Sequence, residues 1–473
     1  MSRTRWVVTS VGVMLLIGGC SSSETSTLPD GSSETSTSSA ESASPVPPPA
    51  PLDWQDCGAL ECATLTVPLD YDDPAAGTVD LAVARNPSDD DDRIGSLVLN
   101  PGGPGGSGVG FLRSGGPGDL HPAFDLVSWD PRGVGDSRGL DCGPTEDFFG
   151  FDPTPDDVDE RATLEGSARS IADRCASADA ELLPTMTTET TALDLEQLRR
   201  ALDDEPLNYL GFSYGTHIGL QYAAMFPDQI RAMVLDGVVD PRESLTELLT
   251  GQAIAIERVL ADRLTRYREV AEAVEVEPLP TRGDERVGPG LLGVAAFASI
   301  YSPGGVNQFD RALERALEGD GEGLDELSED YVGSSSFAAY LGVLCADSPR
   351  PADTEAWQGF ITEIARAAPD LGASVGNELL PCAFWPFDPL DEETELISWA
   401  GDLPPILLVA ATDDAATPLD DAERIHADLP NSALLVREGG GHTSLGLSSC
   451  VADAVWTYLV DLQPPDEGTV CES

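Results

Sequence analysis

From residue 52 onward, short apolar runs alternate with longer stretches in which apolar positions recur three or four residues apart. Runs at 63–68 and 79–84, joined by the turn-rich segment 70–77, predict a leading pair of strands. Runs at 96–100, 125–130, 207–212, 232–236, 406–411 and 433–436 predict buried strands. Segments 167–178, 192–202, 216–226, 419–429 and 449–462 predict helices between them. Strand–helix alternation of this kind gives a mostly parallel sheet covered on both faces. The alternation stops between about 240 and 403. Helical patterns at 245–274, 308–317, 331–345 and 356–368 fill that interval, which predicts an insertion that caps the sheet. The chain then divides into a first core part at 52–240, a helical cap at 241–402 and a second core part at 403–473.

The first 51 residues follow another pattern. Arg3 and Arg5 precede an apolar stretch, 6–17, that is shorter than the ~20 residues a membrane-spanning helix needs. A signal segment, 1–19, fits that length. The stretch ends in Ile17-Gly18-Gly19-Cys20, which resembles a bacterial lipobox, so Cys20 is the expected site of acylation and the expected attachment to a membrane. Residues 21–51 contain 11 Ser, 4 Thr and 6 Pro and no aromatic residue. Such a segment buries too little apolar area to fold, and 20–51 reads as a disordered tether.

Composition narrows the partners. The chain carries 83 acids against 26 cations, a formal charge of −57, and every cation is an arginine. With 41% hydrophobic residues the chain can still build a core. A polyanion is repelled by such a surface, so nucleic acid is excluded as a partner, and anionic lipid headgroups are disfavoured likewise. A salt-rich setting would explain both the acidity and the missing lysines. Beyond Cys20 lie eight cysteines, an even number in an exported chain, and pairing of neighbours is expected: 57–62, 142–175, 345–382 and 450–471. No Cys-x-x-Cys occurs and there are four histidines, so no metal is expected.

The sharpest chemical signal is Gly211-Phe212-Ser213-Tyr214-Gly215, placed between a predicted strand and a predicted helix. In that context Gly-x-Ser-x-Gly is a nucleophile elbow that projects the serine. A serine hydroxyl needs a base, and the base needs an orienting carboxylate, in the chain order Ser, Asp, His. His121 and His217 fall out of that order, and His426 lies within a predicted helix. His442, after Gly439-Gly440-Gly441, is the expected base. Asp413 and Asp414 both follow the strand at 406–411, and spacing does not separate them. The glycine-rich loop 100–108 follows the third strand, where this fold places one oxyanion donor; Tyr214 N–H is the other. A phosphate-binding reading of this loop fails because the P-loop spacing and its lysine are missing.

Three segments together resemble the α/β-hydrolase peptidases of the proline iminopeptidase group: 100–108, Trp129-Asp130-Pro131-Arg132-Gly133-Val134-Gly135-Asp136-Ser137, and the elbow. Leu344-Cys345-Ala346-Asp347, Cys382-Ala383-Phe384-Trp385-Pro386 and 411–418 make the closer match the secreted tripeptidyl aminopeptidases of high-GC bacteria. The resemblance runs from about 54 to 471. It implies an α/β-hydrolase fold with a mostly parallel, eight-stranded sheet and an inserted helical cap. It also implies a serine exopeptidase that releases short peptides, tripeptides foremost, from free N-termini through an acyl-enzyme, without a cofactor. Segment 411–418 is similar to the family pattern Gly-Thr-x-Asp-Pro-x-Thr-Pro, which assigns the carboxylate to Asp414; Ala411 and Ala415 depart from the pattern, and Asp413 stays the fallback. Gly103, with Gly102 as the alternative, becomes the loop's oxyanion donor. Peptides with a free N-terminus are the implied partners, and a cap acid (Asp240, Glu243 or Asp347, with Asp347 preferred) is expected to meet their ammonium group. A carboxylesterase on the same scaffold is the alternative reading, and a non-enzymatic surface lipoprotein the third.

Overall fold

The computed structural model describes residues 48–117, 122–203, 206–283, 286–302, 304–332, 336–388 and 397–472. The expected signal segment, Cys20, His121 and most of the tether lie outside the described residues.

The first part of the chain supplies seven strands: β1 (Gln55–Asp56), β2 (Glu61–Pro68), β3 (Thr78–Asn86), β4 (Gly95–Asn100), β5 (Phe124–Trp129), β6 (Leu207–Phe212) and β7 (Ile230–Asp236). After a small ribbon of β8 (Leu279–Pro280) and β9 (Arg286–Val287), the large sheet resumes with β10 (Ile406–Asp413), β11 (Ser432–Gly440) and β12 (Val470–Cys471). The order is β1-β2-β3-β5-β4-β6-β7-β10-β11-β12. β1, β2 and β3 pair antiparallel, as do β3 and β5, and every pair from β5 to β12 is parallel. The expected eight strands are present, and the two-residue β1 and β12 extend the sheet to ten. Both are too short to give an apolar run, so the hydrophobic pattern carries no trace of them.

β4 and β6 are buried at every position, because helices cover both faces of the parallel part. Along β6, Leu207 and Tyr209 enter one core while Leu210 and Phe212 enter the other, the period of two expected of a strand. The first half of the chain contributes α1 (Gly108–Arg113), α2 (Glu146–Phe149), α3 (Val158–Ala178), α4 (Thr188–Leu202) and α5 (Tyr214–Met225). Between β7 and β10 lie α6 (Leu245–Val259), α7 (Leu264–Val276), α8 (Pro289–Ala298), α9 (Gly305–Leu317), α10 (Glu322–Val332), α11 (Ser336–Asp347), α12 (Thr354–Ala367) and α13 (Gly372–Glu378). α14 (Leu419–Asp428) and α15 (Ser449–Asp461) complete the core.

Two expectations for the insertion need correction. The single helix expected at 245–274 is two helices, and the turn between them is closed by Arg263 N–H donating to Leu260 O (2.7 Å). That turn holds neither glycine nor proline, so the apolar repeat runs straight through it. The helix expected at 331–345 begins within the end of α10, and α11 starts only at Ser336. α8 escaped the pattern altogether. Its sequence, PGLLGVAAFA, is apolar all round and buried, which leaves no stripe to detect. The four disulfides join Cys57–Cys62, Cys142–Cys175, Cys345–Cys382 and Cys450–Cys471. Among the described residues no helix is long and apolar enough to cross a membrane.

Candidate active site

Ser213 sits where β6 turns into α5, with φ 54° and ψ −125°. A non-glycine residue with positive φ is strained by roughly 1–3 kcal/mol, and its surroundings must hold it there. They do so through three hydrogen bonds. Ser213 N–H donates to Asp236 O (2.9 Å), Thr216 N–H to Ser213 O (2.8 Å), and Tyr209 OH to Gly215 O (2.8 Å). The flanking glycines are steric necessities. A Cβ at Gly211 would overlap Gly215 O, and one at Gly215 would stand 2.8 Å from Asn100 O.

The turn after β10 carries Asp414, which is 1% exposed. Its carboxylate accepts from Ala416 N–H (2.9 Å), Thr417 N–H (3.0 Å), Thr417 Oγ1 (3.1 Å) and Thr443 N–H (3.2 Å). His442 Nδ1 lies 2.9 and 3.1 Å from its two oxygens. Burial pushes the Asp414 carboxyl upward, but the His442 ring and these N–H groups outweigh it and hold the carboxyl below its usual range. Burial likewise depresses His442, and the Asp414 charge more than offsets it, so the imidazole sits above its ordinary value. Asp413, the other carboxylate that spacing allowed, is exposed. His426 meets Ser432 Oγ (2.8 Å) on α14, away from Asp414.

His442 Nε2 is buried and has no hydrogen-bond partner among the described residues. The ring packs edge-on against Tyr301, centroids 5.4 Å apart, and His442 N–H donates to Tyr301 O (3.2 Å). It also lies beside Gly237, where a Cβ would stand 3.2 Å from His442 Cε1. Gly237 follows Asp236, the residue whose carbonyl holds Ser213. Asp236 therefore joins both halves: its buried carboxylate accepts Ser444 N–H (2.9 Å) and Leu445 N–H (2.8 Å), directly after the histidine.

Gly102 N–H donates to Asn100 Oδ1 (2.9 Å) and is thereby occupied. Gly103 and Tyr214 line the same cavity as Ser213. Gly102 lacks a side chain for want of space: a Cβ there would stand 2.9 Å from Ser213 Cβ and 3.0 Å from Tyr214 N. The loop is braced by Asp130, which accepts Ser107 Oγ (2.6 Å) and Val109 N–H (3.0 Å).

The cavity measures about 540 Å³. Phe297, Tyr301, Tyr340 and Leu344 give its lining an apolar part, and Glu189, Asp240, Glu243, Glu247 and Asp347 line it too, beside Arg242. Asp240 is bound by Arg242 (2.8 Å) and Arg424 (3.3 Å), and Arg424 also holds Glu243. Asp347 accepts Thr188 N–H (3.0 Å) and the Thr188 hydroxyl, and no arginine pairs with it among the described residues. His217 lines the cavity as well, and burial lowers its pKa. Sequence reasoning missed Thr417, Tyr301 and Thr188. Thr417 was visible in the 411–418 segment, while Tyr301 and Thr188 reach the site only through folding. Asp156, Asp157 and Glu160 cluster at the start of α3, but all are exposed, and Asp157 and Glu160 already accept backbone N–H groups there.

Residues 95–280 match the family described as alpha/beta hydrolase fold, and residues 368–471 match TAP-like protein. The chain is 33% identical over 459 residues to a tripeptidyl aminopeptidase of Streptomyces coelicolor, an alignment covering 87% of this chain and 84% of the relative. It is 32% identical over 487 residues to the serine protease Hip1 of Mycobacterium tuberculosis, covering 89% and 91%. A third relative, carboxylesterase B of Mycobacterium tuberculosis, is 29% identical over 459 residues, covering 89% and 88%.

Proposed function

The chain belongs to the α/β-hydrolase family of TAP-like proteins and is a serine hydrolase of peptidase kind, and on that premise we propose that it is an exopeptidase releasing short peptides, tripeptides foremost, from free N-termini. The observation that carries this reading is that Ser213 and Asp347, an acid that no arginine pairs with among the described residues, line one cavity. A neutral ester gains nothing from such an acid, whereas a peptide's α-ammonium is attracted to it.

In the proposed mechanism Ser213 Oγ attacks the scissile carbonyl while His442 Nε2 takes its proton. Asp414 fixes the tautomer with the proton on Nδ1 and stabilises the imidazolium that forms. The oxyanion accepts the N–H groups of Gly103 and Tyr214; the bond from Gly102 to Asn100 supports Gly103 over Gly102 as the loop donor. His442 then protonates the leaving amine, and the C–N bond breaks to leave the acyl-enzyme. Water attacks the acyl carbon, gives its proton to His442, and releases the peptide as Ser213 recovers its own. Asp347 receives the substrate ammonium, and residues 241–402 act as the cap over the site.

The protein's proposed place is outside the cytoplasm, exported by 1–19 and lipid-anchored at Cys20. Four disulfides support an oxidising compartment. Rates on a tripeptide p-nitroanilide, on its N-acetylated form and on a p-nitrophenyl acyl ester test the function. The free-amine peptide is expected to be cleaved at least tenfold faster than the acetylated one. Equal rates on the two overturn the exopeptidase reading, and turnover of the ester alone favours an esterase, the reading that the carboxylesterase relative supports.

A further inference from the structure

His442 sits in a loop with little stiffness of its own. Three glycines, 439–441, lead into it, and Gly439, Gly441 and Thr443 all take positive φ (118°, 93° and 62°). For Thr443 that conformation is strained, so its surroundings must hold it. Arg437, on β11 and 3% exposed, supplies part of that hold. Its Nε donates to Ser444 Oγ (3.1 Å), and its Nη2 lies within hydrogen-bond reach of Gly440 O (3.1 Å), Gly441 O (3.3 Å) and Thr443 O (3.3 Å). One guanidinium thus meets the backbone on both sides of His442.

Arg437 has no direct ion pair among the described residues; the charges that act on it are those of Asp236, Asp414 and Asp413. Asp414 is already committed to His442 and to four other donors, and Asp413 is exposed. That leaves the fully buried Asp236 as the counter-charge. The two charges are joined through the loop. Ser444 touches both: its N–H donates to Asp236 (2.9 Å), and its Oγ accepts from Arg437 (3.1 Å). Leu445 N–H also turns to the carboxylate (2.8 Å), while the carbonyls of Gly440, Gly441 and Thr443 turn to the guanidinium. Peptide N–H groups therefore face the anion and peptide carbonyls the cation, in charge-assisted hydrogen bonds on either side. Breaking a buried pair by removing one member is far more costly than replacing both, because the survivor is left unmatched away from water.

We propose that Arg437 is a positioning residue for His442, and that it works as one unit with Asp236: a charge clamp that grips the histidine loop by its carbonyls on one side and by its N–H groups on the other. The inference rests on the reading of His442 as the base. Without Arg437 the loop carbonyls lose their donor and the Asp236 carboxylate loses its counter-charge, so the glycine-led loop relaxes and carries the imidazole away from Ser213. Without both charges the loop loses its grip but carries no unmatched charge in the core. The clamp therefore predicts that the two substitutions offset each other in part, which independent supports of the fold do not do.

The test reads kcat and KM of the full-length enzyme on a neutral p-nitrophenyl ester, with circular dichroism as the check on folding. Arg437→Met should lower kcat by about 10–100-fold with KM changed less than threefold, since a misplaced base has about that cost. An unchanged kcat overturns the positioning role. The double variant, Arg437→Met with Asp236→Asn, tests the unit. Its kcat should lie at least tenfold above the value that multiplying the two single losses gives, and any value closer to that product overturns the clamp. Should Arg437→Met fail to fold, Arg437→Lys replaces it. Lysine keeps the charge but not the planar fork, so kcat should fall at least threefold, and a smaller loss overturns the proposal. His442→Ala separates the clamp from the reading it rests on. Ester turnover that survives His442→Ala overturns the choice of base and the clamp with it, whereas an inert His442→Ala beside fully multiplying losses overturns the clamp alone. Because the substrate is a neutral ester, none of these outcomes depends on the exopeptidase reading.

Discussion

Asp413 and Asp414 are neighbours in sequence with opposite surroundings, and a pair of variants separates them. Asp414 is buried under four donors from its own turn and the histidine loop, whereas Asp413 is exposed at the strand end. Asp414→Asn should lower kcat by about 10³–10⁴, as loss of the orienting carboxylate does in serine hydrolases generally, while Asp413→Asn stays within about threefold. The comparison of kcat for the two decides it, and a large loss with Asp413→Asn would reverse the assignment. The pH profile adds a second readout. Catalysis needs neutral His442, whose pKa lies above 6.5, so kcat/KM should fall as pH drops through a value above 6.5. Removing the Asp414 charge removes the larger cause of that elevation and leaves only the Asp236 charge, so the acid limb of any residual activity should move to lower pH. An acid limb that stays in place would show that another group sets it. The serine and the histidine were legible from motif and chain order alone. The choice between the carboxylates was not, because burial depends on how the turn folds back under Thr443, more than twenty residues away.

At the level of elements, the sheet does more than carry residues to its carboxyl edge. Asp236 ends β7 by accepting the Ser213 N–H on its carbonyl and the Ser444 and Leu445 N–H groups on its carboxylate. One residue thus fixes the nucleophile's turn relative to the loop that delivers the base. Asp236→Asn swaps one acceptor for a donor facing an N–H, so the histidine loop loses its seat. The expected outcome is a fall in kcat of about 10–100-fold with KM changed less than threefold, since misplacing a catalytic group by an ångström has about that cost. Parallel losses in kcat and in substrate affinity would point to general unfolding instead. The strands of this sheet were readable because apolar runs of that length have few alternatives. The insertion was less so. The α6–α7 break interrupts no apolar repeat, and α8 is apolar on all sides, so the signals that mark helix ends and faces are missing there. α8 nonetheless shapes the cavity, since Phe297, one residue before its end at Ala298, lines it.

Across the whole molecule, a formal charge of −57 is a standing repulsion that folding has to overcome. Some acids are matched internally: Asp194 is held by Arg132 at 2.8 Å with both side chains fully buried, and Arg242 and Arg424 hold four acids between them. Most of the 83 acids have no such partner to find among 26 arginines. Salt acts on these two populations unequally. The Debye length falls from about 10 Å at 0.1 M to about 3 Å at 1 M, which quenches repulsion between spaced surface acids. The buried Arg132–Asp194 pair, shielded from solvent, feels little of this. Raising NaCl from 0.1 to 1 M should therefore raise Tm; 1 kcal/mol shifts Tm by about 2–4 °C in a domain of roughly 150–250 residues and by less in this larger one, so a rise of a few degrees requires several kcal/mol of relieved repulsion. Activity on a neutral ester should stay level or rise over the same range. Activity on a free-amine peptide should rise less, because salt also screens the attraction between the acids lining the cavity and the substrate ammonium. Thermal melts and the ratio of the two rates, measured in one salt series, check both halves. A Tm that falls with salt would mean that surface ion pairs outweigh the repulsion, and the acid excess would then need an origin other than adaptation to salt.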